Sequence, residues 1–353
     1  MRSTRPAGRS RPWPPPSSTT CWPRTPPRPA ARPPERRAPG MSPLIAWIFS
    51  VVAAVMLFLH GLAAFTEEVA RLGGERLRDA LRRLTRNDVT AALTGTLTTA
   101  LVQSSSAITS MAVALAHNRT LDARAAFGVM IGANIGTTLT AWLVALQIAG
   151  LGPVFVSLGG LWSLAGPRPW RAYGKAVFYF GLVFLALDLI SQALAPVAQR
   201  VDIAEWQALL QSPALALVFG AVLTALVQSS SVVTGVAVLT VQQGLLEPSV
   251  AVWLVAGANL GTSSTALLTG TALDARSRRL ALLNSGFNVL GVGLFATVLQ
   301  PLIGQVLAAA LPPARQVALV HTLFNLAAAL AALPVLPYLW PRLQRWLQRG
   351  EPD

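Results

Sequence analysis

The octapeptide Thr-Ala-Leu-Val-Gln-Ser-Ser-Ser occurs twice in this chain, at Thr99–Ser106 and at Thr224–Ser231, an offset of 125 residues. A second pair keeps the same offset: Gly132-Ala-Asn-Ile-Gly-Thr-Thr138 and Gly257-Ala-Asn-Leu-Gly-Thr-Ser263. Two motifs sharing one offset mark a duplicated unit, and each copy sets its small polar motifs inside apolar sequence. Membrane transporters built from repeats place broken, polar helix segments at corresponding points of their two halves, around a central site. The duplication therefore predicts that class of architecture.

Composition describes what surrounds the motifs. Of the 353 residues, 53% are apolar and only 12% are charged, with a mean hydropathy of +0.53. That balance is wrong for a soluble globular domain and right for a polytopic membrane protein. The net charge of +14 does not point to nucleic acid, because residues 1–40 hold nine Arg, one Glu and twelve Pro and so carry +8 of it. This stretch reads either as a disordered Pro/Arg-rich tail or as a mis-called start upstream of Met41. The only cysteine, Cys21, lies in it, and His60, His117 and His321 are scattered. No disulfide, zinc site or other cofactor is expected within one chain.

Apolar stretches long enough to cross a bilayer run at Leu44–Phe65, Ala125–Ala149, Ala172–Ala193, Val250–Ala272, Leu280–Leu302 and Gln316–Leu336, with a shorter crossing at Pro153–Gly166. Residues 88–116 and 213–241 are interrupted near their middles by Gln-Ser-Ser-Ser. They read as re-entrant hairpins that turn at the motif and leave on the side they entered; the competing reading is one long tilted helix at each place. Arginine placement favours hairpins. With Arg71–Arg86 inside, a re-entrant first hairpin keeps Arg119 and Arg124 inside, and later spans return Arg168, Arg171, Lys175, Arg276–Arg279 and Arg342–Arg349 to the same side. Only Arg200 and Arg315 then fall outside. The second hairpin enters from the opposite face, which makes the repeat inverted. Glu67–Arg86 reads as an amphipathic helix on the cytoplasmic surface or as a plain solvated linker.

The expected fold is thus an all-α membrane protein, an inverted-topology repeat with two re-entrant helical hairpins and about seven transmembrane helices. Its parts are the tail 1–40, a first repeat 41–166, a second repeat 167–303, and a final span with a cytoplasmic tail at 304–353. The expected location is the plasma (inner) membrane, multi-pass, with the N-terminus outside and the C-terminus in the cytoplasm.

In lipid every backbone N–H and C=O needs a partner, so a turn at mid-membrane depth must face protein or a polar cavity. The second arm of each hairpin begins at such a turn, where unpaired N–H groups and the helix dipole favour an anion. Gln103, Ser104, Ser105 and Ser106, with Gln228, Ser229, Ser230 and Ser231, can cap those ends and offer hydroxyls to a ligand. Apart from Asp88, no charged residue falls between Asn87 and His117 or between Ala125 and Pro167, so the expected site is neutral. The glycines of the second motif let the backbone break or pack closely. Freed carbonyls with Asn134, Thr137, Thr138, Asn259, Thr262 and Ser263 would supply hard oxygens of the kind sodium accepts, Asn134, Thr137, Asn259 and Thr262 first among them. A cation bound beside an anion in a neutral pocket makes sodium coupling physically sensible. The competing account of both motifs is close packing by small residues.

Three further features stand apart. Asp188 is the one acid well inside a span, near its outer end. Asn284 and His321 occupy matching places in Arg278-x-x-Ala-Leu-x-Asn-x-x-Phe-Asn288 and Arg315-x-x-Ala-Leu-x-His-x-x-Phe-Asn325, where structural hydrogen bonding is the favoured role. A serine hydrolase is disfavoured, since neither hairpin segment supplies a base for Ser104–Ser106 or Ser229–Ser231.

The paired Gln-Ser-Ser-Ser and Gly-Ala-Asn-[Ile/Leu]-Gly-Thr segments, Leu81-Arg-Arg-Leu-Thr-Arg-Asn87, Phe287-Asn288 and His321-Thr-Leu-Phe-Asn325 together resemble the type II sodium-dependent phosphate cotransporter family, over roughly Leu44 to Leu336. The resemblance implies symport of inorganic phosphate with sodium ions, with Gln103–Ser106 and Gln228–Ser231 lining a shared site. Many bacterial relatives carry a cytoplasmic helical domain similar to the phosphate-uptake regulator. This chain ends at Asp353, so that regulation is expected to be missing or supplied by another chain. Some members are associated with phosphate efflux, and a non-transporting scaffold is a further alternative. Expected partners are phosphate, sodium and the lipid bilayer, and exposed apolar faces that serve a homodimer or simply meet lipid.

Overall fold

A computed structural model of the chain describes residues 42–146, 150–200 and 212–349; the tail 1–40, the proposed start at Met41 and residues 201–211 lie outside them. Every regular element described is helical. The order is α1 (Pro43–Arg83), α2 (Asp88–Val102), α3 (Ser105–His117), α4 (Ala123–Leu146), α5 (Leu151–Ala165), a single 3-10 turn (Arg168–Trp170), α6 (Arg171–Arg200), α7 (Pro213–Val227), α8 (Ser230–Gln242), α9 (Pro248–Gly261), α10 (Ser263–Leu273), α11 (Ala275–Ala296), α12 (Gln300–Ala308) and α13 (Pro313–Leu347). Six helical stretches are long and apolar enough to cross a membrane: α1, α4, α6, α9 with α10, α11 and α13. The all-α membrane architecture expected from composition is what the chain adopts.

Several boundaries differ from the sequence reading. The first span and the charged segment after it form one helix, α1, bent at Gly74, whose backbone leaves the helical region at φ 7° and ψ −97°. The charged helix is not a bare linker: Leu77 and Leu81 are buried in the same cluster as Leu121, Leu280 and Leu347. The span written as Leu280–Leu302 ends at Ala296, and Gln300 opens the short helix α12. The last helix runs past Leu336 to Leu347 despite Pro334, Pro337 and Pro341 inside it.

Glycine sets how closely the helices approach. A Cβ on Gly95 would lie 2.1 Å from the Val129 carbonyl oxygen, and one on Gly132 would lie 1.8 Å from that of Ala92, so α2 and α4 touch backbone to backbone. The second copy repeats this at the 125-residue offset: Gly220 against Leu254 at 2.0 Å and Gly257 against Leu217 at 1.9 Å. Between α5 and α6 a further zipper, Gly152, Gly159, Gly174 and Gly181, leaves no room for a Cβ on either helix. In lipid, where apolar burial does not drive helices together, such approach gives the packing its strength.

The contacts also give the directions of the helices. Arg124 donates two hydrogen bonds to Asp88, both at 2.7 Å, and Gln103 meets Thr140, so α2 and α4 run parallel from foot to tip. The chain between them must then come back, and α3 is that return. Ser110 pairs with Thr269 at 2.9 Å and His117 with Asp274 at 2.9 Å, which sets α10 parallel to α3 and antiparallel to α4. The two copies of the Asn-motif helix therefore point opposite ways. The same contacts gather Arg82–Arg86, Arg119, Arg124 and Arg276–Arg279 at one end of the bundle, and the 2.9 Å hydrogen bond from Arg279 to the Leu347 carbonyl brings the end of α13 there too.

The Asp88–Arg124 pair is half of an asymmetry, because the matching positions of the second copy are Pro213 and Ser249. Asp88 is nearly buried, and removing its partner leaves a carboxylate without compensation. Arg124→Gln should therefore destabilise the protein by about 2 kcal/mol, less than for a fully buried pair because the guanidinium keeps some solvent. The double variant Asp88→Asn/Arg124→Gln should recover part of that loss. Thermal unfolding in detergent reads both, and an unshifted midpoint for Arg124→Gln would refute the clamp.

Candidate substrate and ion site

Each Gln-Ser-Ser-Ser segment stops one helix and starts another. Gln103 and Gln228 both sit in the left-handed region at φ 58°, with ψ 25° and 23°. Each closes its helix with a 2.7 Å hydrogen bond from its N–H to the carbonyl four residues earlier, Thr99 or Thr224. A left-handed residue other than Gly, Asn or Asp is uncommon, and the same conformation in both copies shows that the motif encodes the break. The one-long-helix reading is overturned: the arms are separate helices, and the chain turns back between them.

The following serine opens the second arm. Ser104 and Ser229 are extended N-cap residues, and the Ala107 N–H donates to Ser104 Oγ at 3.2 Å. Ser229 makes no such capping bond. Ser105, Ser230 and Ser231 are buried at the start of α3 and α8, while Ser104, Ser106 and Ser229 are partly buried. The N-terminal N–H groups of both second arms thus point toward the turns, where the dipole is positive.

Thr140 brings the two turns together. Its hydroxyl donates to Gln103 Oε1 at 2.9 Å and lies 3.4 Å from Ser231 Oγ of the other hairpin. In the second copy Thr265 donates to Gln228 Oε1 at 2.7 Å, and Gln228 Nε2 donates to Ser264 at 3.2 Å. Thr140 and Thr265 are themselves 125 residues apart. Sequence reading passed over both, although the duplication offset alone would have flagged them. Beneath the turns, Thr99 Oγ1 and Thr224 Oγ1 are buried with no hydrogen-bond partner among the described residues.

The turns differ in cover. Gln103 is buried and borders a small cavity with Phe58, Leu62, Phe65, Phe180 and Phe184 of α1 and α6. Gln228 is exposed. One tip is sealed by an aromatic group while its counterpart is open.

The Gly-Ala-Asn motifs need a correction. Helix α4 runs unbroken through Gly132–Thr138, so no carbonyl is freed there; its glycines serve close packing against α2. In the second copy the helix does change at Thr262, between α9 and α10, with that residue still in right-handed helical backbone. The hydroxyls of Thr137, Thr138 and Thr262 donate back to carbonyls of their own helices, at 3.0, 2.8 and 3.1 Å. Both motif asparagines gather around Asn288: Asn134 Nδ2 donates to Asn288 Oδ1 at 2.7 Å, and Asn288 Nδ2 donates to Ser263 Oγ at 2.9 Å and to the Asn259 carbonyl at 3.4 Å. This buried chain joins α4, α11 and the α9–α10 junction. Asn325 Nδ2 donates to the His321 backbone carbonyl at 2.9 Å, a bond that does not involve the His321 ring. Asn284 Oδ1 and His321 Nδ1 are buried without a partner among the described residues. Asp188 is half-buried on α6, next to Leu187, which borders the same cavity as Gln103.

At the charged end, Asp274 caps α11 by accepting the Ser277 N–H at 2.6 Å. Burial works to raise its pKa, yet the hydrogen bonds from Ser277 and His117 outweigh that and hold the carboxyl below its ordinary value.

The chain is 30% identical over 312 residues to YjbB of Escherichia coli K12, a protein provisionally named for inorganic phosphate export, covering 87% of this chain and 56% of that relative. The chain thus spans little more than half the length of such relatives. It is 26% identical over 297 residues to YqeW of Bacillus subtilis, covering 82% of this chain and 94% of YqeW. A 91-residue stretch, 25% of this chain and 14% of the relative, is 41% identical to sodium-dependent phosphate transport protein 2A of Oryctolagus cuniculus. No solved structure matches. The Na+/Pi-cotransporter family model matches residues 57–192 and 198–330. With both copies of the Gln-Ser-Ser-Ser and Gly-Ala-Asn motifs inside those limits, the chain belongs to the Na+/Pi-cotransporter family.

Proposed function

We propose that the protein carries inorganic phosphate across the membrane together with sodium, by alternating access at the two Gln-Ser-Ser-Ser turns. The observation that carries this reading is the meeting of Gln103, Thr140 and Ser231, which joins two inverted turns at one neutral place. Each turn offers helix N-terminal N–H groups and serine hydroxyls to an anion. Sodium would be held by oxygens around Asn134, Thr137, Asn259 and Thr262, and the unpartnered Thr99 and Thr224 hydroxyls add two donors of the same kind. In a bilayer the two helix pairs would be re-entrant hairpins. The arginine-rich end would face the cytoplasm, with the C-terminus inside and the N-terminus outside. The sealed first tip and open second tip correspond to a state accessible from one side only.

A second reading keeps the site and reverses the direction. The YjbB relatives, which match 87% of the chain, are named for phosphate export, so outward movement is the natural form of this reading.

Radiolabelled phosphate flux into proteoliposomes holding the full chain tests both. Uptake driven by an inward sodium gradient and absent with choline supports coupled transport. Sodium-independent flux would remove the coupling, and well-inserted protein with no flux in either direction would sink the transport reading.

A further inference from the structure

Away from the turns, α11 and α13 splay apart and leave a cavity of about 450 Å3. Leu283, Phe287, Leu290 and Leu294 line one wall and Val335 and Leu339 the other; every residue bordering it is apolar. The groove has two unlike ends. On α11 the lining residues repeat at helical spacing, and the same stripe continues N-terminally to Arg279 and Arg276. On α13 the stripe reaches Arg342, three residues past Leu339. Arg279 is fixed at this mouth by its hydrogen bond to the Leu347 carbonyl at 2.9 Å. None of the three arginines pairs with an acid among the described residues. At the other end, around Leu294, the stripe meets no charge.

An apolar trough closed at one end by unpaired cations matches one kind of molecule. We propose that this groove binds a single anionic phospholipid, its acyl chain against α11 and α13 and its phosphate between Arg276, Arg279 and Arg342. Basic pockets between transmembrane helices take anionic headgroups in this way. A second copy of the chain fits less well. A two-fold interface sets the same patch against itself, and the three arginines of one copy would then face those of the other.

The test is lipid binding by the purified full chain in mild detergent, followed by native mass spectrometry with dipalmitoyl phosphatidylglycerol and dipalmitoyl phosphatidylcholine. The protein should hold one phosphatidylglycerol in preference to phosphatidylcholine. Arg276→Gln/Arg342→Gln should cut that preference by about thirtyfold, at roughly tenfold or less per arginine. This variant spares Arg279, which caps α13. Gly286→Trp should abolish retention of both lipids, because a Cβ at Gly286 has nothing within 4 Å and the indole would fill the trough. A lipid-free melting temperature equal to wild type shows that these variants fold. Equal retention of both lipids, or charge variants that bind like wild type, would overturn the proposal. A dimer lost in Gly286→Trp, with no lipid bound to the monomer, would reassign the groove to a second copy.

Discussion

Cells making Gly132→Val will yield little folded protein, and Gly257→Val will do the same. The first added carbon would lie 1.8 Å from the Ala92 carbonyl oxygen in one case and 1.9 Å from that of Leu217 in the other. Both obstacles are backbone, so no rotamer change relieves them; α2 must leave α4, or α7 must leave α9. Overpacking against movable side chains already costs about 1–3 kcal/mol. Here the cost should exceed that range and consume much of the roughly 5–15 kcal/mol that holds a domain together. Gly293→Ala is the matched control, since a Cβ there meets nothing within 4 Å. Size-exclusion of fluorescently tagged protein from solubilised membranes reads the outcome. A monodisperse Gly132→Val peak of normal height would show that the backbone contact is dispensable.

Ser105→Ala and Ser230→Ala should each lower phosphate flux at least tenfold while insertion and melting temperature stay near wild type. Both serines are buried at the first position of the arm that follows a turn. Alanine suits a helix at least as well as serine, so folding loses little. A hydrogen bond to a charged ligand contributes about 1.5–3 kcal/mol, which is about tenfold to a hundredfold in binding. The two variants should act alike, because in alternating access each turn serves the same substrate from its own side. Full flux in either would remove that serine from the site, and full flux in both would remove the turns from the mechanism.

Much of this was readable before any coordinates. The repeat, the breaks at Gln103 and Gln228 and the gathering of arginines at one end follow from local rules: an exact offset, small polar residues in apolar sequence, and charge asymmetry. Less readable was anything depending on which helix lies beside which. Glycine in Gly-Ala-Asn is compatible with a broken helix or a close approach, and only the position of Ala92 decides for Gly132. The Asn134–Asn288 link joins residues 154 apart, and no periodicity announces it. Thr140 was missed for another reason: its match with Thr265 at the repeat offset was there to be seen, but a threonine in an apolar helix does not say which neighbouring side chain it meets.

The parallel glycine contacts have one more consequence. Gly95 with Val129 and Gly132 with Ala92 lie wholly within the first copy, and Gly220 with Leu254 and Gly257 with Leu217 wholly within the second. The first block can therefore close while the ribosome is still making the second, with no partner to wait for. Two half-length polypeptides, inserted in opposite orientations, would each already contain the ruler that spaces its own helices. The joined chain adds to them only a fixed ratio of one half to the other.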